Sequence, residues 1–300
     1  MPASDPEIVL WVERRRSEMK SKRRSRGALI APSRQERTAR PKDRSVQAGS
    51  SWRYIQVQTL GPMRVATHGE IHEEIWKSRL KAKRFLEILL SSETFRVSAD
   101  EAAEYLWPDA LPDKVRHRLH NEVSNLRKIF TKIGIETHIE IKFEHSFYNL
   151  HLSDQVAVTH REFEGLAQRG LDEFTDGMEE SAHGFLKSAF DLYAGPFLKD
   201  ALYERFTDAL RQRLSELYSS VLRALAETSY ISSDESLSWW DRAIEHDPYD
   251  ETAYKGAILM SIRSGHRGKA KRFFNTLKER IVDELGLPLP DWCDEEEFEE

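Results

Sequence analysis

The chain has 300 residues, of which 39% are hydrophobic and 32% are charged, enough to bury the cores of two ordinary domains. It contains no apolar run of about eighteen residues and no signal-peptide segment, so we expect a soluble, cytoplasmic protein without membrane contacts. Its single cysteine, Cys293, cannot form an internal disulfide, which excludes a disulfide-stabilised secreted fold.

The net charge of −6 is unevenly distributed along the chain. Residues 1–50 contain 13 Lys and Arg against 6 acidic residues, residues 51–154 contain 15 of each, and residues 155–300 contain 17 against 30. Because the C-terminal half would repel a polyanion, any nucleic-acid contact is expected before residue 155. The basic segment 1–52 is predicted to be a disordered arm, which either attracts DNA non-specifically or simply aids solubility.

The ordered part is predicted to begin with a small antiparallel sheet. Three short strands are expected, at Tyr54–Leu60, Met63–Ala66 and Ile71–Ile75. Gly61-Pro62 and His68-Gly69 mark the tight turns between them.

Two helices are predicted next. The first covers Lys81–Ser92, and a brief extended segment then leads to Ser98, which forms a capping box with Glu101. The second helix should end near Leu106, because Pro108 disfavours the helical conformation for the residue before it.

The most informative stretch is Pro112–Gly134, whose apolar residues recur every three or four positions and predict a helix with one buried stripe. The stripe consists of Val115, Leu119, Val123, Leu126, Phe130 and Ile133. It would direct His117, Asn121, Ser124 and Lys128 outward, with Arg116, His120, Asn125 and Arg127 on the shoulders. Such side chains donate to phosphates and read base edges. A solvated surface helix is the alternative, and the isolated stretch does not decide between the two.

Two β-rich runs follow the third helix, His138–Phe143 and Phe147–Leu152, and predict a hairpin. The order of sheet, three helices and hairpin is typical of a winged helix-turn-helix, in which the third helix enters the major groove. The hairpin tip, with Lys142, His145 and Ser146, would reach the neighbouring DNA backbone.

Residues 155–290 are predicted to be helical throughout. The expected helices are Leu202–Tyr230, Ser236–His246, Asp250–Ser264 and Arg267–Leu285. Small residues at Ala243, Ala257, Gly265 and Ala270 fit a tetratricopeptide-like unit of about 34 residues. The fold class is therefore an α+β winged helix-turn-helix domain at residues 53–154, then an all-α tetratricopeptide-like domain at residues 155–290, with an acidic tail at residues 291–300.

Several motifs resemble one family when taken together. They are LGPMRV, KAKRFLEILL, LWPD, SNLRKIF, FYNLHL, HREFEGL, DLYAGPFLKD and ERIVDELGLPLP. In this order they look like the Streptomyces antibiotic regulatory protein family, with an OmpR-type winged helix followed by a bacterial transcriptional activator domain. The resemblance implies a transcriptional activator that binds double-stranded DNA at promoter repeats as a homodimer and recruits RNA polymerase without a cofactor. His117 stands where many relatives have asparagine.

The sequence shows no catalytic motif, since it lacks a phosphate-binding loop, a dinucleotide turn, HExxH and GxSxG. We therefore expect a protein that is not an enzyme and holds no metal. Two other functions stay open, a helical-repeat adaptor for proteins and the output subunit of a split sensor-regulator system. The candidate DNA contacts are Arg116, His117, His120, Asn121, Ser124, Arg127, Lys128, Lys142, His145 and Ser146.

Overall fold

The computed structural model describes residues 55–110 and 112–293, with residues 112–114 described by their backbone alone. The predicted basic arm, and the predicted acidic tail from residue 294 onward, lie outside the described residues. Among the described helices, none combines the length and the apolar character needed to cross a lipid bilayer.

The seven described strands form two sheets. The strands are β1 Ile55–Gln58, β2 Arg64–Thr67, β3 Glu70–Ile71, β4 Arg96–Ser98, β5 Ile139–Glu144, β6 Phe147–Leu152 and β7 Val156–Val158. The first sheet has the order β3-β2-β1-β7, and the second has the order β4-β6-β5. Strand β1 pairs antiparallel with β2 and parallel with β7, so the sheet that opens the described chain is completed about a hundred residues later.

Two predictions, one for the first sheet and one for residues 155–290, were wrong. The strand expected at Ile71–Ile75 stops at Ile71, and Glu74–Trp76 form a 3₁₀ turn that places the Trp76 side chain in the core. Residues 155–290 are not helical throughout, because β7 pairs with β1 before the next helix begins at Thr159. We call residues 55–154 the first region and residues 155–293 the second region.

Among the described residues of the first region, three α-helices lie between the strands. They are α1 Leu80–Ser91, α2 Ala99–Leu106 and α3 Pro112–Lys132. One of the two bonds of the predicted capping box is seen at the start of α2, where Ser98 Oγ accepts a hydrogen bond from the Glu101 backbone N–H at 3.1 Å. Helix α2 ends as predicted, since Trp107 before Pro108 leaves the helical conformation at φ −146°.

The predicted hairpin is formed by β5 and β6, with Glu144 opposite Phe147. Its connection is the two-residue turn His145-Ser146, and both residues have positive φ, 49° and 68°. A two-residue turn of this shape matches the right-handed twist of the strands and fixes their register. The hairpin therefore has a narrow, defined tip.

Six α-helices are found in the second region as far as the structure describes it. They are α4 Thr159–Thr175, α5 Glu179–Leu192, α6 Asp208–Glu227, α7 Ser233–His246, α8 Glu251–Arg263 and α9 Arg267–Lys278, and a π-helical turn at Glu279–Glu284 follows. Consecutive helices pack in pairs, α4 with α5, α6 with α7 and α8 with α9. The predicted small residues Ala243, Ala257 and Ala270 are buried at these contacts. Such pairing leaves a stacked array of helices.

The helix predicted to begin at Leu202 begins instead at Asp208. Arg211 explains the difference, because its guanidinium donates to the backbone oxygens of Phe197, Ala201 and Leu202 and to Thr207 Oγ1. These bonds hold the segment before α6 in two 3₁₀ turns. The hydrogen bonds of this one side chain thus hold the segment outside the helix that was predicted for it.

The two regions share one continuous hydrophobic core. Leu60 and Phe197 form an isolated β-bridge, and Thr59 Oγ1 lies 2.9 Å from Nδ1 of the buried His160. Ion pairs cross the boundary beside both ends of α1, Lys83 with Asp200 at 2.8 Å and Glu93 with Arg213 at 2.7 Å. Because buried contacts and ion pairs both cross the boundary, α1 is fixed to both regions.

Candidate functional site

Helix α3 is held in place by its apolar side. Val115, Leu119 and Val123 are buried, as are Leu126 and Phe130, and the sixth member of the predicted stripe, Ile133, is half-buried. Ile129 is also buried and was not predicted. The buried side packs on α1, so the orientation of the helix is set by the core.

The opposite side of α3 is exposed and basic. All seven candidate residues on the helix are exposed, namely Arg116, His117, His120, Asn121, Ser124, Arg127 and Lys128. The helix contains six Lys or Arg and only two acidic residues. One of these, Glu122, accepts a hydrogen bond from Asn125 Nδ2 at 3.1 Å, and both residues are half-buried. The exposed surface therefore combines positive charge with groups that can both donate and accept hydrogen bonds.

Arg127 connects this surface to the hairpin. Its Nη2 donates to the backbone oxygen of Ile141 in β5 at 2.8 Å. Arg116, His120 and Ser124 precede Arg127 by eleven, seven and three positions, so they lie on the same side of the helix. A row of polar side chains thus borders the hairpin.

The hairpin tip carries the remaining three candidates. His145 and Ser146 are exposed in the turn. Lys142 Nζ lies 3.2 Å from Glu140 Oε2, and the adjacent Glu144 is exposed as well. Acidic neighbours offset the positive charge of Lys142, so attraction for an anion comes mainly from α3.

One residue of this surface, Phe143, was not predicted from the sequence. Phe143 is 46% exposed although it belongs to the side of the hairpin that includes the buried Ile139 and Ile141. The signal was present, since period-2 alternation puts these three residues on one side of β5. The third of these apolar positions lies beyond the end of the core, so the Phe143 ring is exposed.

Aromatic rings order two arginines outside the candidate set. The Arg96 guanidinium lies 3.8 Å from the centroid of the Phe147 ring, and that of Arg118 lies 5.9 Å from Trp107. Within residues 55–110 and 112–293, no three His, Cys, Asp or Glu side chains converge as metal ligands would. The site is a surface for hydrogen bonds and charge.

Residues 160–291 match the family described as the bacterial transcriptional activator domain. The Mycobacterium tuberculosis protein named transcriptional regulatory protein MoaR1 is 25% identical over 239 residues, which are 79% of this chain and 76% of MoaR1. The M. tuberculosis transcriptional regulatory protein EmbR is 23% identical over 230 residues, which cover 76% of this chain and 58% of EmbR.

A solved structure of M. tuberculosis EmbR in complex with a low affinity phosphopeptide has a TM-score of 0.68 and 22% sequence identity. The match covers 79% of this chain and 62% of that chain, so the chain spans less than two thirds of EmbR. The likeness shows a shared fold, a small sheet region followed by a helical domain. The chain therefore contains a bacterial transcriptional activator domain, is homologous to the transcriptional regulatory proteins MoaR1 and EmbR, and resembles the Streptomyces antibiotic regulatory proteins.

Proposed function

We propose that the protein is a cytoplasmic transcriptional regulator that binds specific sequences in double-stranded DNA. Residues 53–154 would act as an OmpR-type winged helix, with α3 in the major groove and the β5-β6 hairpin as the wing. The observation that carries the proposal is the exposed basic side of α3, whose buried side fixes its direction.

The candidate residues divide into two roles by their chemistry. Asn121, His117 and Ser124 have short polar side chains that form hydrogen bonds with base edges. Arg116 and Lys128 carry full charges suited to phosphates, which fix position and carry most of the salt dependence. Arg127 has one nitrogen committed to Ile141, so its remaining donors would reach the backbone beside the hairpin.

The second region would make contacts with proteins. It is strongly acidic, which disfavours DNA, and its paired helices resemble tetratricopeptide-like arrays, whose stacked helices offer extended binding surfaces. The homology to named transcriptional regulatory proteins supports a role in regulating transcription. We further propose an activator that forms a homodimer on promoter repeats and contacts RNA polymerase.

A mobility-shift titration with promoter fragments from upstream of its own gene tests DNA binding. Asn121→Ala should weaken binding to the preferred fragment by about 1 to 3 kcal/mol and relax specificity at one base pair. If no promoter fragment shifts at moderate salt, the DNA-binding proposal is wrong and an adaptor role gains support.

Lys128→Ala separates phosphate contacts from base contacts. It should weaken binding to all fragments and reduce the slope of log K against log salt by about one unit. The matched control is Lys271→Ala, which removes the same charge from an exposed position on α9 and should leave the slope unchanged. Equal slopes for both variants would show that α3 does not face the DNA backbone.

A further inference from the structure

Three aromatic rings in successive contact form a row from the core of the first region to the exposed surface beside α3. Phe85 of α1 packs edge-to-face on Tyr148 of β6, with ring centroids 5.1 Å apart. Tyr148 in turn lies 4.7 Å from the ring of Phe143, its cross-strand partner in β5. Phe85 and Tyr148 are buried, whereas Phe143 is 46% exposed, so the last ring of the row is exposed to solvent.

The ring lies on the α3 side of the hairpin. Ile139 and Ile141 precede it on the same side of β5 and are buried, and Ile141 accepts the hydrogen bond from Arg127. Phe143 is two residues nearer the tip than Ile141, a shift of about 6.6 Å, which corresponds to roughly one helical turn. Its neighbours on the helix are therefore expected to be Ser124 and His120, the polar row that borders the hairpin.

The electrostatics of the hairpin make an apolar contact there more effective than an ionic one. Lys142 is paired with Glu140, and Glu144 adjoins the turn, so the hairpin adds little attraction for phosphates. Phe143 is already held by Tyr148, and a ring fixed in place loses little rotational freedom when a partner covers it. The hairpin would therefore bind a partner mainly through the exposed ring of Phe143, which is already ordered.

We propose that Phe143 is a DNA-contact residue whose ring packs against deoxyribose and base edges in the groove beside α3. This inference rests on the proposed DNA-binding function and adds a contact that depends on apolar area. Sugar carbons and thymine methyl groups are the apolar surfaces of DNA, and they suit a phenyl ring. Such a contact releases no counterions.

The test compares two phenylalanines on opposite sides of the same hairpin. Phe143→Ala should weaken binding to a shifted promoter fragment about tenfold, the order expected from losing the apolar contact of about half a phenyl ring. The slope of log K against log salt should stay that of the wild type, because no phosphate contact is lost. Phe143→Leu should retain most of the affinity.

Phe147→Ala is the matched control. Phe147 lies on the other side of the sheet, beneath Arg96, so its removal should leave DNA affinity unchanged. Thermal melts of all variants identify any that fail to fold. If Phe143→Ala does not fold, the affinity of Phe143→Leu, which keeps an apolar side chain at this position, is compared with that of the wild type.

The outcomes distinguish this inference from the function on which it rests. If the wild type binds DNA and Phe143→Ala binds equally well, the contact does not exist although the protein binds DNA. The inference also fails if Phe147→Ala weakens binding as much, or if Phe143→Ala changes the salt slope. A wild type that shifts no DNA overturns the proposed function itself.

Discussion

Arg127 in the third helix and Ile141 in the hairpin are joined by a 2.8 Å hydrogen bond from the guanidinium to the backbone oxygen. The bond leaves the β-ladder intact, because Ile141 pairs with Leu150 on its other edge. It fixes the distance between the two elements proposed to contact DNA. The helix and the hairpin should therefore approach a duplex as one rigid surface.

Replacing Arg127 tests this coupling. Arg127→Ala should lower the free energy of unfolding by about 1 kcal/mol, the typical net value of one intramolecular hydrogen bond, and should also weaken DNA binding. Urea denaturation and mobility shift measure the two effects. Lys128→Ala removes an adjacent charge and should reduce only the affinity, so equal unfolding free energies for the two variants would contradict the structural role.

Glu140 is expected to weaken DNA binding by neutralising Lys142. Glu140→Gln removes the carboxylate 3.2 Å from the ammonium group and should raise affinity a few-fold at low salt. It should also steepen the salt dependence by up to about one unit, because Lys142 becomes available to a phosphate. Glu136→Gln, an exposed acid before β5, controls for the change in net charge. The same gain in both variants would leave no role for the ion pair.

Gly256 allows the close approach of α8 to α7. A Cβ at this position would lie 2.3 Å from the ring of Trp240, which is buried. Gly256→Ala should therefore destabilise the protein by about 2 kcal/mol through overpacking. Gly184→Ala is the control, because its Cβ would meet nothing within 4 Å and should stabilise α5 by up to about 1 kcal/mol. Urea denaturation should give opposite signs for the two variants.

His160 makes the boundary between the two regions sensitive to acid. Burial, aided by Arg161 and Arg213, lowers the pKa of His160 from its ordinary value of 6.5 to about 3. The unfolded chain therefore binds a proton that the folded chain excludes. The contribution of neutral His160 to the free energy of unfolding is complete above pH 6.5 and is lost as the pH falls toward 3. On the order of 1.5 kcal/mol is lost between pH 6.5 and 5.

His160→Gln, which retains a polar side chain beside Thr59, should flatten this part of the stability profile. Urea denaturation at a series of pH values measures it, and His117→Gln, which changes an exposed histidine, should follow the wild type. If His160→Gln loses as much stability as the wild type between pH 6.5 and 5, other groups account for the acid sensitivity.

Local patterns in the sequence were sufficient to predict much of the structure of the first region. The spacing of apolar residues predicted the buried side of α3, the Ser98 and Glu101 pair predicted the start of α2, and the two β-rich runs predicted the hairpin. Each of these features depends on residues close together in the chain. The exposed positions of the helical candidates follow from the same periodicity.

Features that depend on distant residues were not predictable in this way. The pairing of β7 with β1 joins residues about a hundred positions apart, and three residues are too few to show a strand pattern. The delayed start of α6 depends on the bonds of Arg211 to the preceding loop. The exposure of Phe143 depends on where the core ends, which periodicity does not reveal.

The parallel pairing of β7 with β1 limits how the regulator can be recombined with its relatives. A fragment that ends at the predicted boundary, residue 154, would leave one edge of β1 unpaired and would remove His160 from Thr59. A graft of the first region onto another activator domain must therefore carry β7 and a matching partner for Leu60. When such proteins exchange domains in evolution, the β1–β7 pairing and the contact of His160 with Thr59 should be inherited together. The exchanged segments should begin after these residues.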